Sequence, residues 1–222
     1  MKYKIVTVAF VLFTTFVLST EMNSENREKF NFGKNNSLCI PDSYLVDSDQ
    51  LGLVYSQNES TLVLKISGEE IAELIPEYKE AVHDDAFEKY QSITLMLDKF
   101  IASNSSTILY DELWMLDGDF ENAIVQPDEL TNHYRVKKHS NDIMWHLVQS
   151  EPQTKGKKPD YLNNWYIGMC IIDGSEGYEC KRHFNHKEFV IDYNISNHNI
   201  LLMPLVDQFI GKKLDAWACK EN

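Results

Sequence analysis

The chain has 222 residues, of which 43% are hydrophobic and 25% are charged, and its net charge is −13. This composition is typical of a globular protein and excludes disorder, collagen and coiled coil as the main state. The length fits one large domain or two small lobes. Because polyanions repel so acidic a chain, nucleic-acid binding is disfavoured, and basic partners or cations are favoured.

The N-terminal residues have the pattern of a secretory signal peptide. Lys2 and Lys4 precede a mostly apolar, uncharged run of 14 residues, 5–18. A helix that spans a bilayer needs roughly 20 apolar residues, so the run fits a signal-peptide core better than a membrane span. Val17 and Ser19 are acceptable small residues before a cleavage site. We therefore predict cleavage after Ser19, with an uncleaved anchor as the alternative.

Export sets the expected location and charge of the mature protein. Cleavage would remove two Lys and no acid, leaving 19 basic and 34 acidic residues and a net charge of −15. No Cys follows the apolar run, as it would in a bacterial lipoprotein, and no later run is long enough to span a membrane. We expect a periplasmic protein with no stable membrane span after cleavage.

Four cysteines remain, an even number that favours disulfides in an exported chain. Cys170 and Cys180 flank the turn sequence Asp173–Gly177, and two strands meeting there would bring their sulfurs together. We therefore pair Cys170 with Cys180, which leaves Cys39 with Cys219 and ties the two ends of the domain. Zinc is the poorer alternative because the chain has no Cys-x-x-Cys motif.

The chain divides into three parts. Residues 1–19 are the predicted signal peptide, and residues 20–37 are polar and Asn/Glu-rich, which predicts a flexible leader. We expect a single domain over residues 38–222. The segment 151–160 contains two Pro, one Gly and three Lys, which indicates an exposed loop within that domain.

A strand followed by a helix is predicted near the start of the domain. Thr61–Ile66 alternates with a period of two, as a half-buried strand does. Ser67 is placed to cap a helix, with Glu70 as its capping-box partner. The apolar positions of this helix are Ile71, Leu74, Ile75 and Tyr78. Pro76 lies within that pattern and predicts a short or bent helix.

The C-terminal part repeats this layout. Phe189–Ile195 alternates as a strand, and Ser196 is again placed to cap a helix. The apolar stripe of the second helix is Ile200, Met203, Val206, Phe209 and Ile210. Pro204 lies near its start. The two strand–helix units are either a decayed duplication or similar by chance.

The middle of the chain is predicted to consist mostly of strands. The candidates are Gln91–Leu97, Leu113–Leu116, Tyr134–Lys138, Ile143–Val148, Tyr166–Ile171 and Glu179–Phe184. Because strands and helices do not alternate regularly, a Rossmann or TIM arrangement is disfavoured. The predicted fold class is α+β: an antiparallel β-sheet with a few packed α-helices, stapled by disulfides.

No motif in the chain specifies a catalytic mechanism. His183 and His186, with His198 further along, resemble a metal-binding triplet, but residues three apart on a strand point to opposite faces. The stretch from Asp117 resembles a calcium loop but has Asn122 where that loop needs Gly. The 34 acids offer too many pairs to select a hydrolytic acid and base. We predict no catalytic residue, metal or cofactor.

The aromatic residues suggest a binding surface instead. Trp114 stands between acidic residues, and an aromatic ringed by carboxylates is typical of a hot spot for a basic cleft. The alternative places Trp114 in the core. The predicted partner-binding residues are Asp111, Glu112, Trp114, Asp117, Asp119 and Glu121.

The layout resembles that of small exported bacterial proteins that act as periplasmic immunity proteins against type VI secretion effectors. The resemblance is carried by Cys39-Ile40-Pro41 with Tyr44, by Cys170 and Cys180 across a Gly-rich turn, by the strand Phe189–Ile195 and by the closing helix Ile200–Leu214. It covers most of the mature chain in layout and little of it in identity.

This resemblance implies a non-enzymatic inhibitor. Its partner would be a cognate protein toxin that attacks the cell wall or membrane lipids. Two alternatives remain: a secreted hydrolase that uses paired carboxylates, and a periplasmic ligand-binding module that uses exposed aromatics. A deep pocket holding carboxylates with raised pKa would favour the hydrolase.

Overall fold

The computed structural model describes residues 26–33, 36–46, 61–80, 89–99, 123–149, 166–173 and 177–219. Within these ranges the chain has an α+β fold, as expected from the sequence. It consists of an eight-stranded antiparallel sheet, a two-stranded sheet and a long C-terminal helix.

The strands are β1 (Arg27–Gly33), β2 (Asn36–Pro41), β3 (Thr61–Ile66), β4 (Ile93–Lys99), β5 (Ile124–Pro127), β6 (Tyr134–Lys137), β7 (Met144–Val148), β8 (Tyr166–Asp173), β9 (Gly177–His186) and β10 (Phe189–Ser196). The α-helices are α1 (Gly68–Leu74) and α2 (Met203–Trp217), and short 3-10 turns occupy Asp42–Tyr44 and Ile200–Leu202. β1 pairs with β2, and the large sheet has the order β3-β4-β10-β9-β8-β7-β6-β5, with every neighbouring pair antiparallel.

The predicted strands of the described ranges are present, with bounds that differ by a few residues. β3 matches its prediction, Thr61–Ile66. β4 begins two residues later than expected, because Gln91 is bound outside the sheet hydrogen bonds. Its backbone carbonyl accepts a hydrogen bond from the Tyr78 hydroxyl, and its side-chain amide donates to the Glu179 carboxylate. The predicted strand Leu113–Leu116 lies outside the described residues.

One hydrophobic cluster forms the core between the large sheet and the elements that cover it. Leu64, Leu95 and Tyr193 are fully buried and lie side by side on β3, β4 and β10. The second predicted helical stripe is buried against them, as expected for an amphipathic helix. Its buried members are Ile200, Met203, Val206, Phe209 and Ile210.

The cap of α1 is confirmed, but its capping-box partner is not. Ser67 Oγ accepts a hydrogen bond of 3.2 Å from the Glu70 amide, as predicted. The Glu70 carboxylate does not return to the Ser67 amide: it binds Lys213 of α2 and accepts from the Tyr44 hydroxyl at 2.9 Å. Lys213 also lies 4.6 Å from the centre of the Tyr44 ring. The Glu70 side chain is therefore bound by residues that are distant in sequence and not, as the capping-box motif predicts, by the helix terminus.

α1 is short, as Pro76 predicts. The helix ends at Leu74, because proline disfavours helical conformation in the residue before it. Ile71 and Ile75 are buried, but Leu74 is 66% exposed. The predicted stripe therefore faces the core only in part.

The predicted cap at Ser196 is wrong. β10 continues through Ser196, and a turn then leads to the 3-10 turn that precedes α2. Asn199 occupies the position before that turn, and its side chain binds the backbone of Lys79 instead of capping the helix. Pro204 stands in the first turn of α2, where no amide hydrogen is needed. The proposed duplication therefore lacks a shared cap, and it stays a prediction.

Part of the predicted leader is ordered. Residues 27–33 form β1, which pairs with β2. Phe32 is buried, and its ring packs edge-on against Phe189 at a centroid distance of 5.1 Å. These residues are therefore a strand that contacts the core through Phe32, while the leader over residues 20–37 as a whole stays a prediction.

Both predicted cysteine pairs are confirmed. Cys170 and Cys180 lie directly opposite each other on β8 and β9, with Cα atoms 3.9 Å apart. Cys39 on β2 bonds to Cys219 after α2, across a sequence separation of 180 residues, with Cα atoms 5.0 Å apart. The second pair joins the small sheet to the end of the chain.

The two disulfides should differ in what they contribute to stability. We expect Cys39→Ser/Cys219→Ser to lower the free energy of unfolding by about 5 kcal/mol and Cys170→Ser/Cys180→Ser by about 3 kcal/mol, because the first closes the longer loop. Urea unfolding followed by circular dichroism measures both. Equal losses, or the reverse order, would contradict the loop-entropy argument.

Candidate functional site

The helices and the small sheet cover one face of the large sheet, and we call the opposite face the open face, although Val63, Val136 and Val190 on it are buried. Among the described residues, both helices and both strands of the small sheet bury their apolar side chains in the core cluster, and so they lie on the same side of the sheet. The open face is the opposite side, defined by the strand register. Its residues include Val63, Met96, Asp192, His183, Lys181, Met169, His146, Val136 and Val125.

A charge-balanced polar group occupies the middle of the open face. His183 Nδ1 lies 2.7 Å from Asp192 Oδ1, and Lys181 Nζ lies 3.2 Å from Asp192 Oδ2. Burial acts to raise the pKa of Asp192, but the hydrogen bond from His183 and the charge of Lys181 outweigh it and hold the pKa below its ordinary value. The carboxylate therefore stays ionised and fixes the orientation of both side chains.

Exposed apolar side chains collect at one corner of the open face, near the edge strand β5. Met144 lies opposite Ile171, and Val125 lies opposite Val136, which is itself buried. We call the following residues the apolar corner: Val125, Val136, Ile143, Met144, Met169 and Ile171. All of them except Val136 are between 36% and 60% exposed. Clustered exposed apolar side chains are typical of protein interaction surfaces.

A hollow of about 250 Å³ lies within this corner. Its apolar lining includes Val136, Ile143, Met144 and Met169, and its polar lining includes Lys138, Asp142 and His146. Pockets for small molecules usually have volumes of roughly 300–1,000 Å³, so this hollow is of a size for one large side chain or a small fragment.

A buried ion pair on the core face supports the same corner. The Asp128 carboxylate is fully buried; it accepts from Arg135 Nη2 at 3.1 Å and from the Tyr178 hydroxyl. The Arg135 guanidinium lies 4.6 Å from the Trp145 ring centre and 5.1 Å from that of Tyr178. Burial and the nearby Asp128 raise the pKa of Tyr178, so the phenol stays protonated and donates. These contacts attach the outer hairpin β5–β6 to the rest of the sheet.

Among the described residues, Glu179 is the carboxylate whose raised pKa comes nearest to what a hydrolase would need. Burial, and then the charge of Asp173, raise its pKa, while hydrogen bonds from Gln91 and Asn194 lower it by less. Gln91 Nε2 donates to one carboxylate oxygen at 2.9 Å and Asn194 Nδ2 to the other at 3.1 Å. Both oxygens are thus bound by amides of the protein, which favours a structural role.

The two histidines of the His-x-x-His pattern lie on opposite faces of β9, as predicted. His183 contacts Asp192 on the open face, and His186 Nε2 lies 2.8 Å from Asp215 of α2 on the core face. Across the described ranges, no three His, Cys, Asp or Glu side chains converge in a way that could hold a metal ion.

The predicted partner-binding residues all lie outside the described residues: Asp111, Glu112, Trp114, Asp117, Asp119 and Glu121. The hypothesis that they bind a partner stays a prediction, as does the alternative that Trp114 is core. Asp128, the twelfth position of the calcium-like stretch, is described, and its carboxylate is occupied by Arg135 and Tyr178.

The apolar corner was not predicted from the sequence. Strands were predicted over Ile143–Val148 and Tyr166–Ile171, but not the face of the sheet that each of their residues occupies. The signal was present: Ile143-Met144-Trp145 and Met169-Cys170-Ile171-Ile172 are continuous apolar runs. Such runs indicate strands that are covered on both faces, whereas a half-exposed antiparallel strand alternates.

Comparison of the chain with models of known protein families, with curated proteins and with solved structures gave no match. No helix in the described ranges has the length and apolar character needed to cross a membrane.

The ion pair beneath the corner gives a stability prediction. Asp128→Ala leaves Arg135 and Tyr178 without their buried partner, and we expect it to lower the free energy of unfolding by about 3–5 kcal/mol. Glu129→Ala, at the exposed neighbouring position, should change it by less than about 0.5 kcal/mol. Urea denaturation of both variants measures this. A loss for Asp128→Ala as small as that for the control would contradict the role of the ion pair.

Two acids of the open face should affect acid stability in opposite directions. The pKa of Asp192 is lowered from 3.8 in the folded state, so its stabilising contribution is present above that pH and is lost as the pH falls further. The pKa of Glu179 is raised from 4.5, so its contribution grows as the pH falls toward 4.5. Thermal melts from pH 7 to pH 2.5 should show a shallower acid loss for Asp192→Asn and a steeper one for Glu179→Gln. The same direction of change in both variants would contradict this assignment.

Proposed function

We propose that this protein is a periplasmic immunity protein that binds and inhibits a secreted antibacterial toxin acting on the cell wall or membrane lipids. The observation that carries the proposal is the apolar corner: exposed apolar side chains gathered at one edge of a sheet that is cross-linked by a disulfide. An inhibitor needs such a preformed surface, and it needs no catalytic group of its own.

The disulfides support the proposed location. Cys39–Cys219 and Cys170–Cys180 account for every cysteine of the chain. Such bonds form and persist in oxidising compartments, of which the bacterial periplasm is one. A protein that must meet an incoming toxin there gains from cross-links that limit unfolding.

The charge of the chain supports a basic partner. The net charge is −13, and residues 100–122 contain five acids and no Lys or Arg. Glu121 is three residues before Ile124, the first residue of β5, in the sequence. An acidic segment of the chain favours a basic partner, and it accelerates the encounter with such a partner.

The two alternatives have less support. A hydrolase would need a carboxylate free to reach a substrate, and both Glu179 oxygens are bound by amides. The hollow of about 250 Å³, in the part of the chain that the structure describes, is smaller than the roughly 300–1,000 Å³ of most small-molecule pockets.

Affinity capture tests the proposal. Residues 20–222 serve as bait in a periplasmic extract of the native host, grown with its secretion systems active, and bound proteins are identified by mass spectrometry. We expect one basic, toxin-like protein whose binding weakens as salt rises, because screening reduces the electrostatic attraction. The purified partner should lose its toxicity when mixed with this protein. Recovery of no partner, or of one whose toxicity persists, would contradict the proposal.

Charge reversal tests the acidic segment separately. We expect Asp117→Lys/Asp119→Lys to slow association with the captured partner by about tenfold at low salt, and less at high salt. Asp84→Lys/Asp85→Lys changes the net charge by the same amount at another place in the sequence and serves as the matched control. Surface plasmon resonance measures both association rates. Equal slowing in the two variants would show that only the overall charge matters.

A further inference from the structure

We propose that two copies of this protein associate edge to edge through strand β5, with the two β5 strands antiparallel about a two-fold axis. The large sheets of the two copies then form one continuous sheet. This inference goes beyond the proposed function and does not depend on it, because it follows from the backbone of β5 and from the charges near the two ends of that strand.

Among the described strands, β5 is the edge that is open to a further strand. All four of its residues, Ile124–Pro127, are exposed, and none of them carries a charge. At the opposite edge of the sheet, β3 is bridged by Leu45 at Leu64 and carries the exposed, charged Lys65. Charged side chains and covering segments oppose the pairing of sheet edges, so β3 is protected from association and β5 is not.

The direction of the backbone groups in β5 follows from its pairing with β6. The Asp128 amide donates to the His133 carbonyl at 2.8 Å, and this bond continues the register of the two strands. Alternate residues of an antiparallel strand direct both their N–H and their C=O toward the same neighbour, so Gln126 also points toward β6. The N–H and C=O of Val125, between them, therefore point away from the sheet.

These outward groups are complementary to their own copies. With the two-fold axis at Val125, the two Val125 residues lie opposite each other and exchange both backbone hydrogen bonds. In the same register, the Ala123 N–H donates to the Pro127 carbonyl of the other copy, and the symmetric bond forms as well. Proline has no N–H, so Pro127 acts here as an acceptor, which is a role that proline can take at a sheet edge. A contact of this symmetry closes at two copies.

The charges near β5 favour the antiparallel direction. Lys138 follows Lys137, which pairs with Ile124 at the first end of the strand, and Glu129 lies just beyond the other end. Both Lys138 and Glu129 are exposed. The first end also carries Asp142, but the two lysines outweigh its charge. The two-fold axis places the basic end of one copy beside the acidic end of the other, with about 10 Å between β6 of one and β5 of the other.

Apolar area at the edge is buried by the same contact. Ile124 is 40% exposed and Val125 is 36% exposed. Because opposite residues of an antiparallel pair lie on one face, the two Val125 side chains meet on the open face and the apolar corners of the two copies become neighbours. The net charge of −13 makes the copies repel each other at long range. We therefore expect a weak dimer.

Sedimentation equilibrium of the exported protein at physiological salt tests the association. We expect a monomer–dimer equilibrium with a dissociation constant on the order of 100 µM, because a few backbone hydrogen bonds and a small apolar area must offset the loss of free motion. A protein that stays monomeric at about 500 µM, or that forms aggregates larger than a dimer, would overturn the proposal.

A matched pair of lysine variants locates the contact. Val125→Lys places two like charges directly opposite each other at the axis, so it should weaken association by at least about tenfold. Ile143→Lys introduces the same charge at a residue of the apolar corner that is 60% exposed and not on β5, and it should change association by no more than about twofold. Circular dichroism confirms that both variants are folded. Equal weakening would show that the copies meet through the apolar corner and not through the strand edge.

Single cysteines report the register. Val125→Cys should form a disulfide between the copies, because directly opposite residues have Cα atoms about 5.5 Å apart, within the reach of a disulfide. Gln126→Cys should not, because the two copies of that residue lie roughly 9 Å apart in this register. Non-reducing electrophoresis after mild oxidation measures both. A cross-link through Gln126→Cys, or none through Val125→Cys, would overturn the register.

Charge reversal tests the antiparallel direction. Glu129→Lys and Lys138→Glu should each weaken association by about threefold, because each places like charges at both ends of the contact. The double variant Glu129→Lys/Lys138→Glu restores opposite charges and should recover the affinity of the wild type. A double variant that associates no more tightly than the single variants would overturn this arrangement of the two copies.

The dimer and the inhibitor function fail separately. A protein that is monomeric and still neutralises a captured toxin would overturn the dimer alone. A dimer for which no toxin is found would overturn the inhibitor function alone. A toxin that protects the Val125 amide of a monomeric protein from hydrogen exchange would assign the edge to a strand of the toxin and overturn pairing between copies.

Discussion

Strand β10 hydrogen-bonds to β4 on one side and to β9 on the other, and this double pairing joins parts of the chain that are distant in sequence. On one side of β10 lies the pair β3–β4, and on the other lie the strands β9 to β5. Helix α2 is attached at the same seam: Asp207 accepts from the Tyr193 hydroxyl at 2.6 Å and from Arg182 at 3.0 Å, and Tyr193 is fully buried. The core, the open face and the apolar corner all depend on this seam, because without it the sheet would be two separate pieces.

The apolar corner lies far from this seam, at the opposite edge of the sheet, and it has its own support. The ion pair of Asp128 and Arg135, with the rings of Trp145 and Tyr178, secures the outer hairpin from the core face. Burying charges is costly, and a well-packed apolar group would often give equal stability. What the ion pair adds is a defined geometry for the outer hairpin and for the apolar corner that the hairpin carries.

The sequence predicted the features that depend on local pattern. The strand Thr61–Ile66, the Ser67 cap and the early end of α1 before Pro76 follow from periodicity and backbone sterics, and the cysteine pairing follows from one turn and an even count. Features set by distant partners were missed. The Glu70 carboxylate pairs with Lys213 instead of completing the capping box. The Asn199 side chain binds the backbone of Lys79, and β1 contacts the core through Phe32. The apolar corner was also not predicted, because the residue type alone does not distinguish an exposed methionine such as Met144 from a buried one such as Met203.

The disulfide between Cys39 and Cys219 makes most of the domain a closed covalent ring. A protease that cuts the chain once, at any position within the ring, opens it without releasing a fragment, because the two ends of the cut remain joined through the sulfur bridge. Only a second cut can detach a piece. Damage to a single loop therefore leaves all of the strands on one molecule, and the apolar corner, which is built from β5 to β8, keeps all of its parts.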